Sequence, residues 1–263
     1  MRILIKYFRL WYTLTVNSFI ISLASRFSAG IFLLAKVFRF GFFVIFLVTL
    51  VGKSQLLASY SLLQTLFFFM TFTFIDTVTS LFFREVYRFR PMVVSGDFDL
   101  VLVKPFNPLF RALAGGADPL DLITLVPYTI LIVFIGSKFP SVDAWHVALY
   151  LLLLGNALLI ATGFHILVLA LAILTTEIDH AIMIYRDLTS MGRVPVDIYQ
   201  EPLRSIITFV IPVGIMMTFP AKALLGLLSP VAIGVSFIGG VIFFRLCLRA
   251  GRYSLSQYSS ASS

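Results

Sequence analysis

Apolar residues run along this chain in blocks of about twenty, the length one helix needs to cross the hydrocarbon core of a bilayer. Six blocks stand out: Ala29 to Val51, Leu56 to Phe83, Leu120 to Ser137, Trp145 to Leu174, Leu203 to Phe219 and Val231 to Leu248. At about 1.5 Å per residue each can span, the fifth only just. The ten-residue alternation of a membrane barrel strand is missing, and no internal repeat of fixed period is visible. Between the blocks, Arg84 to Asp118 and Thr175 to Arg204 read as too polar to cross and too short for a sizeable soluble domain. The pattern predicts a single all-α integral membrane domain over residues 1–263 with six transmembrane helices.

Two further segments fit neither a span nor an open loop. Before span one, Arg2, Lys6, Arg9, Thr13 and Asn17 recur every three or four residues and form one polar stripe, with Leu4, Phe8, Trp11 and Ile20 on other faces. Residues 1–26 therefore read as a basic amphipathic helix lying at the interface. A signal-peptide core over Leu10 to Ala24 is the alternative, weakened by Thr13, Thr15, Asn17 and Ser18. Pro220 to Pro230 is apolar but too short to cross, which predicts a short re-entrant piece before span six, an ordinary loop being the plainer reading.

Composition narrows the class. Of 263 residues 60% are hydrophobic and 12% charged, against about 25% charged in soluble domains. There is too little polar surface to cover a soluble fold of this size. The single Cys247 allows no intrachain disulfide, so the redox compartment is not legible. A net charge of +8 would point to nucleic acid in a soluble protein. In a membrane protein it reports cytoplasmic loops. With the N-terminus inside, six spans place 17 of the 20 cations on the cytoplasmic side and leave Lys53, Lys138 and Lys222 outside, so both termini are expected in the cytoplasm.

Catalytic signatures are missing. Gly52-Lys53-Ser54 ends like a phosphate-binding loop, but the Gly required five positions earlier is Leu47. His146, His165 and His180 stand far apart with no metal-ligand spacing. Gly234 to Ile238 lacks the second Gly of a nucleophile elbow. Polar groups inside the spans are the pathway candidates: Lys36 and Arg39 in span one, Asp76 in span two and His165 in span four. Charges in hydrocarbon are costly and face a bundle interior or a water-filled path. The plainer alternatives are an interhelical hydrogen bond for Asp76, a satisfied buried His165, and snorkelling for Lys36 and Arg39. Pro127 and Pro212 free backbone carbonyls in spans three and five, as kinks or hinges. Gly155, Ala157 and Ala161, with Gly234, Ser236 and Gly240, suit close helix packing, internal or between subunits.

The polar loop after span two has its own order. Ser95 to Leu109 carries regularly spaced apolar residues, punctuated by Gly96 and Pro105, with Asn107-Pro108 favouring a turn. It reads as a short amphipathic element pressed on the inner face or, equally, as a plain loop. Gly96, Asp97, Phe98, Asp99, Leu102, Lys104, Pro105, Asn107, Pro108 and Leu109 match, in order, the inner-loop signature of a branch of type-2 ABC exporter permeases. The chain resembles this family along its whole length, including Arg193 to Tyr199, Phe219 to Gly226 and the tail Tyr258 to Ser263. It departs at Gln200-Glu201-Pro202, where relatives often have Pro directly after the Tyr.

The resemblance implies a cytoplasmic coupling helix between spans two and three, within about residues 84–118, formed by Gly96, Asp97, Asp99, Leu102, Lys104, Pro105, Asn107 and Pro108. It implies two copies of a separate ATPase that hold ATP and Mg, a second permease subunit, alike or related, and a bacterial inner (cytoplasmic) membrane. No cofactor is expected in this chain itself, and no nucleic acid partner. The function expected is the permease of an ATP-driven exporter, without catalysis of its own. A proton-coupled secondary transporter using Asp76 and His165 is the alternative, and an intramembrane enzyme the remote one. The sequence leaves the substrate open: large amphiphiles, peptides, drugs and lipids all fit an apolar path.

Overall fold

The computed structural model describes residues 2–24, 26–54, 56–175 and 178–258. Among them every regular element is helical, and five helices are long and apolar enough to cross a membrane. Helix α1 (Arg2–Ala24) covers the expected amphipathic segment. The long helices α2 (Arg26–Ser54), α3 (Leu62–Phe83), α7 (Pro119–Gly136), α8 (Ala144–Thr175) and α13 (Pro230–Ser256) stand where spans one to four and six were expected. After α3 come a 3-10 turn (Arg84–Arg88) and three short helices, α4 (Phe89–Val94), α5 (Asp97–Leu102) and α6 (Pro108–Leu113).

Local sequence sets the helix starts. Asn107-Pro108, Asp118-Pro119 and Ser229-Pro230 open α6, α7 and α13 by one rule: the polar side chain accepts a free backbone N–H, and the proline takes a position whose N–H has no helical partner. At α3, Ser61 and Gln64 form a reciprocal capping box, so this helix begins later than hydropathy predicts.

Helix α8 is central. Its Ala157 and Ala161 are fully buried, and it packs along α13. In an apolar solvent helices associate through close packing and a few hydrogen bonds. Asn156 supplies one, its Nδ2 donating to the Ser236 carbonyl at 3.0 Å. Gly240 is required there, because a Cβ would run into the Asn156 amide. Gly155 and Gly234 meet nothing and play no part in this contact. Helix α2 is peripheral, burying Leu47 and Val51 and resting through Phe40 and Phe43 on Phe69.

The bundle has two ends. The basal end carries α1 and α4–α6. There Tyr7 packs on Phe110 at 4.7 Å, its hydroxyl accepts the Asn107 N–H at 3.0 Å, and Thr15 accepts the Ala117 N–H at 3.1 Å. The distal end holds the connections α2–α3 and α7–α8.

Two expectations change. The predicted fifth span, Leu203 to Phe219, is no long helix. It breaks into α10 (Leu203–Ser205), a π turn (Ile206–Val210), α11 (Val213–Met217) and α12 (Phe219–Leu224). Pro212 is the physical cause: its ring disfavours helical backbone at the residue before it, and Ile211 sits at φ −108, ψ 87. Both ends of this stretch lie at the distal end. Asp197 binds Lys222 at 2.8 Å, and Gly226 abuts the His146 ring, where a Cβ would sit 3.0 Å from Nε2. The apolar turn expected over Pro220 to Pro230 is therefore the second arm of a longer distal hairpin, whose tip buries Val213, Met216 and Met217.

The stretch read as too polar runs the length of the bundle instead. Helix α9 (Ile178–Ser190) starts at the basal end, where Asp179 pairs with Arg90 at 2.6 Å. Tyr185 packs on Phe164 and His165 at 5.7 and 4.8 Å. Through the 3-10 turns Met191–Arg193 and Val196–Ile198 the chain passes Phe43 and Phe72 and reaches the distal end, where Asp197 accepts from Tyr60 at 3.0 Å. Its polarity is compatible with this path because its polar face borders a cavity.

Candidate functional site

Helices α2, α3, α7 and α9 line a half-open cavity of about 800 Å³. They contribute Lys36, Arg39, Phe40 and Phe43 from α2; Phe69, Phe72, Thr73, Asp76, Thr77 and Ser80 from α3; Asp121, Thr124 and Tyr128 from α7; and Met183, Tyr185, Arg186, Asp187, Thr189 and Ser190 from α9. On α2, α3 and α7 these follow three- and four-residue spacing, one face of each helix.

Charge is layered along this cavity. At the basal rim Lys36 pairs with Asp121, and Arg84 bridges Asp118 and Asp121, reaching the Asp121 Oδ2 at 3.1 Å. Both carboxylates are buried. Further along the wall stand Arg39, Arg186, Arg193 and Asp76; Arg39 and Arg186 are exposed, and among the described residues none of the four has an ion pair within 4.0 Å. Towards the distal side the wall is aromatic. Phe40 and Phe43 stack on Phe69 at 5.7 and 4.5 Å, and Phe40 meets Tyr128 at 5.1 Å. The Arg193 guanidinium lies 5.8 Å from Phe43 and 5.9 Å from Phe72. Six cations and three carboxylates line the whole, so the cavity is cationic in sum.

Of the sequence candidates for a pathway, Lys36, Arg39 and Asp76 converge here. His165 does not line the cavity. It is buried in α8, its Nδ1 2.8 Å from the Ala161 carbonyl and its Nε2 3.3 Å from the Tyr87 hydroxyl, with Phe83 against its ring. Those contacts satisfy it, and Tyr87 stands between it and the cavity. Sequence reading missed Arg84, Arg88, Asp121, Arg186, Asp187 and Arg193. The 183, 186, 187, 190 spacing was the signal, and it lay in a stretch set aside for its polarity.

The basal platform accounts for the other candidates. Gly96 joins α4 to α5 with φ +78, a conformation few other residues adopt. Asp97 accepts the Ser95 hydroxyl at 2.7 Å. Asp99 faces the chain's own C-terminal segment, accepting the Tyr258 hydroxyl at 3.0 Å beside the Phe98–Tyr258 edge contact. Burial and this carboxylate push the Tyr258 phenol up. The Pro105 carbonyl accepts from Lys6, and Asn107 with Pro108 starts α6. Phe98, Val101 and Leu109 point inward; Val94, Leu100, Leu102, Val103 and Lys104 point out. Of the tail Tyr258 to Ser263, only Tyr258 is among the described residues.

The turn Arg84–Arg88 links platform and cavity. Arg84 and Arg88 line the cavity, while Glu85 between them holds Arg111 of α6 at 2.8 Å. The Glu85–Arg111 pair thus joins α6 to the turn that reaches the cavity's basal rim.

A family model described as ABC-2 family transporter protein matches residues 32–262. No curated protein and no solved structure matches the chain.

Proposed function

Since the chain belongs to the ABC-2 family of transporter proteins, we propose that it is the permease subunit of an ATP-driven exporter, working with a second permease and two copies of a cytoplasmic ATPase. The observation that carries this reading is the direct connection, through Arg84–Arg88 and the Glu85–Arg111 pair, between the basal platform and a charged cavity lined by four elements of the bundle.

In this reading the basal end is cytoplasmic and α2, α3, α7, α8, the 178–198 stretch and α13 make six crossings, which returns both termini to the cytoplasm. The cation bias keeps its sign, although Arg204 moves to the distal side and Arg186 and Arg193 into the cavity wall. The membrane is the bacterial inner membrane. ATPase closure presses on the exposed Leu100, Val103 and Lys104 and moves α4–α6. The Lys36–Asp121 and Arg84–Asp118 pairs open, and access switches by population shift between two arrangements. The permease makes and breaks no covalent bond; ATP and Mg stay on the partner.

The test is co-expression and co-purification with a cassette ATPase from the same genome, followed by turnover in vesicles. Val103→Glu with Lys104→Ala places a charge on the outward face and should detach the ATPase while the spans stay inserted. Retention of the ATPase at wild-type level by this double variant would move the contact elsewhere. Transport driven by a proton gradient in vesicles free of any ATPase would replace the exporter reading with a proton-coupled one.

A further inference from the structure

The distribution of charge in the cavity is uneven in a way that specifies an occupant. Lys36 and Arg84 are neutralised by Asp118 and Asp121 at the rim. Arg39, Arg186 and Arg193 are not: Asp76 and Asp187 share the cavity wall with them, and among the described residues none of the three arginines has an ion pair within 4.0 Å. Cations held at the depth of the membrane are costly unless an anion or water meets them. Guanidinium groups converging on one space suit a planar or tetrahedral oxyanion, which takes two parallel N–H donors from each fork. Beside them lies the Phe40, Phe43, Phe69 and Phe72 surface, with Arg193 itself against the Phe43 and Phe72 rings. A ligand that meets both walls is ionic at one end and apolar at the other, and about 800 Å³ admits a whole headgroup with the start of a chain.

We propose that this cavity binds the anionic headgroup of an amphiphile, phosphate or carboxylate in type, on Arg39, Arg186 and Arg193, with the adjoining apolar segment lying on the phenylalanine wall. Asp76 balances part of the cationic charge when the site is empty and repels the headgroup when it is full, so that the bound state is held less tightly and can be released. The assignment of this amphiphile as export substrate rests on the permease reading; the site itself does not.

The full chain is reconstituted with its ATPase in nanodiscs of neutral phosphatidylcholine, without ATP, and saturation binding of radiolabelled dodecyl phosphate is measured. Dodecyltrimethylammonium and inorganic phosphate serve as competitors. Saturable dodecyl phosphate binding is expected, with no displacement by the cationic amphiphile and displacement by inorganic phosphate only at concentrations at least about tenfold higher. Arg186→Gln and Arg193→Gln should each weaken binding about tenfold through loss of a charge-assisted pair. Arg204→Gln, at the distal surface and paired with Glu201, should change nothing. Arg186→Lys should recover part of the loss, which separates charge from folding if either Gln variant melts early. Unchanged affinity in both Gln variants, or preference for the cationic amphiphile, overturns the site. Inorganic phosphate competing as well as dodecyl phosphate overturns the amphiphile and leaves a free-anion site. Arginine-dependent binding in a chain that fails to retain its ATPase would sink the exporter reading alone; retention of the ATPase without binding would sink the site alone.

Discussion

The stretches 178–198 and 203–224 adjoin in sequence and have similar length, and the first takes the lengthwise path expected of the second. The first carries Asp179, Arg186, Asp187, Arg193 and Asp197, yet runs from the basal to the distal end. The second has its charges only near its ends, at Arg204 and Lys222, yet both its ends stay distal. Mean polarity fails to tell them apart because it ignores which face meets what. On α9 Ala181 and Ile182 are buried in the bundle, Tyr185 is buried between His165 and the cavity, and Arg186, Asp187 and Ser190 border the cavity. In 203–224 the side chains are apolar enough, but Pro212 breaks the backbone ladder that a continuous crossing requires.

Topology gives the largest effect, an all-or-none one. In a Cys247→Ser background, Ser205→Cys at the start of the apolar stretch should react with a membrane-impermeant maleimide in intact cells, as Ser137→Cys at the α7–α8 connection should. Ser95→Cys should react only after permeabilisation. If Ser205→Cys behaves like Ser95→Cys, the hydropathy order is right and the 178–198 stretch is no crossing.

Most of the fold was legible because most of it obeys local rules. The five long apolar helices, the amphipathic α1 and the X-Pro helix starts follow from spacing and from capping chemistry. The cavity was legible from one side only. Lys36, Arg39 and Asp76 stand out because they interrupt apolar runs, whereas Arg186 and Arg193 disappear among other polar residues. Asp99 shows a different limit: its partner Tyr258 lies 159 positions away, and no local pattern links a coupling-loop carboxylate to the C-terminal segment. His165 shows a third, since a histidine at mid-helix reads the same whether it lines a path or is satisfied by Ala161 and Tyr87 behind it.

The joint between the two stretches gives the next effect. Asp197 accepts from both Tyr60 and Lys222, so it ties the top of 178–198 to the second arm of the hairpin and to the α2–α3 connection. The Tyr60 phenol is pushed up by burial first and by this carboxylate second. Asp197→Ala leaves Lys222 a half-buried cation without its partner. A cost of about 1–3 kcal/mol is expected, below that of a fully buried pair because both side chains keep some solvent. Lys222→Ala should cost less, as Asp197 retains Tyr60. Thermal melting of the purified variants measures both, and the double variant should be less than additive. Additive losses would mean that the two side chains do not act as a pair and that the hairpin is anchored elsewhere.

The smallest effect concerns how the hairpin begins. Glu201 accepts the Ser205 hydroxyl at 2.6 Å, the Ser205 N–H at 3.1 Å and the Arg204 Nε at 2.7 Å, at the first turn of α10. The Ser205 hydroxyl, then Arg204, hold its carboxyl below the ordinary glutamate value of 4.5. A carboxyl lowered on folding contributes order above its unfolded value and loses it as pH falls through the folded one. Between pH 7 and 5 nothing should change; below 4.5 the first turn of α10 should loosen. Amide exchange of residues 203–206, corrected for intrinsic rate, should therefore rise as pH is lowered past that point, while exchange in α8 stays level. In Glu201→Gln the same amides should exchange faster at neutral pH and lose the pH dependence, because the neutral amide cannot accept from Arg204 as a carboxylate does. A wild-type pH dependence that survives in Glu201→Gln would assign it to another group, and the start of the hairpin would then owe its order to Pro202 and the packing of the tip instead.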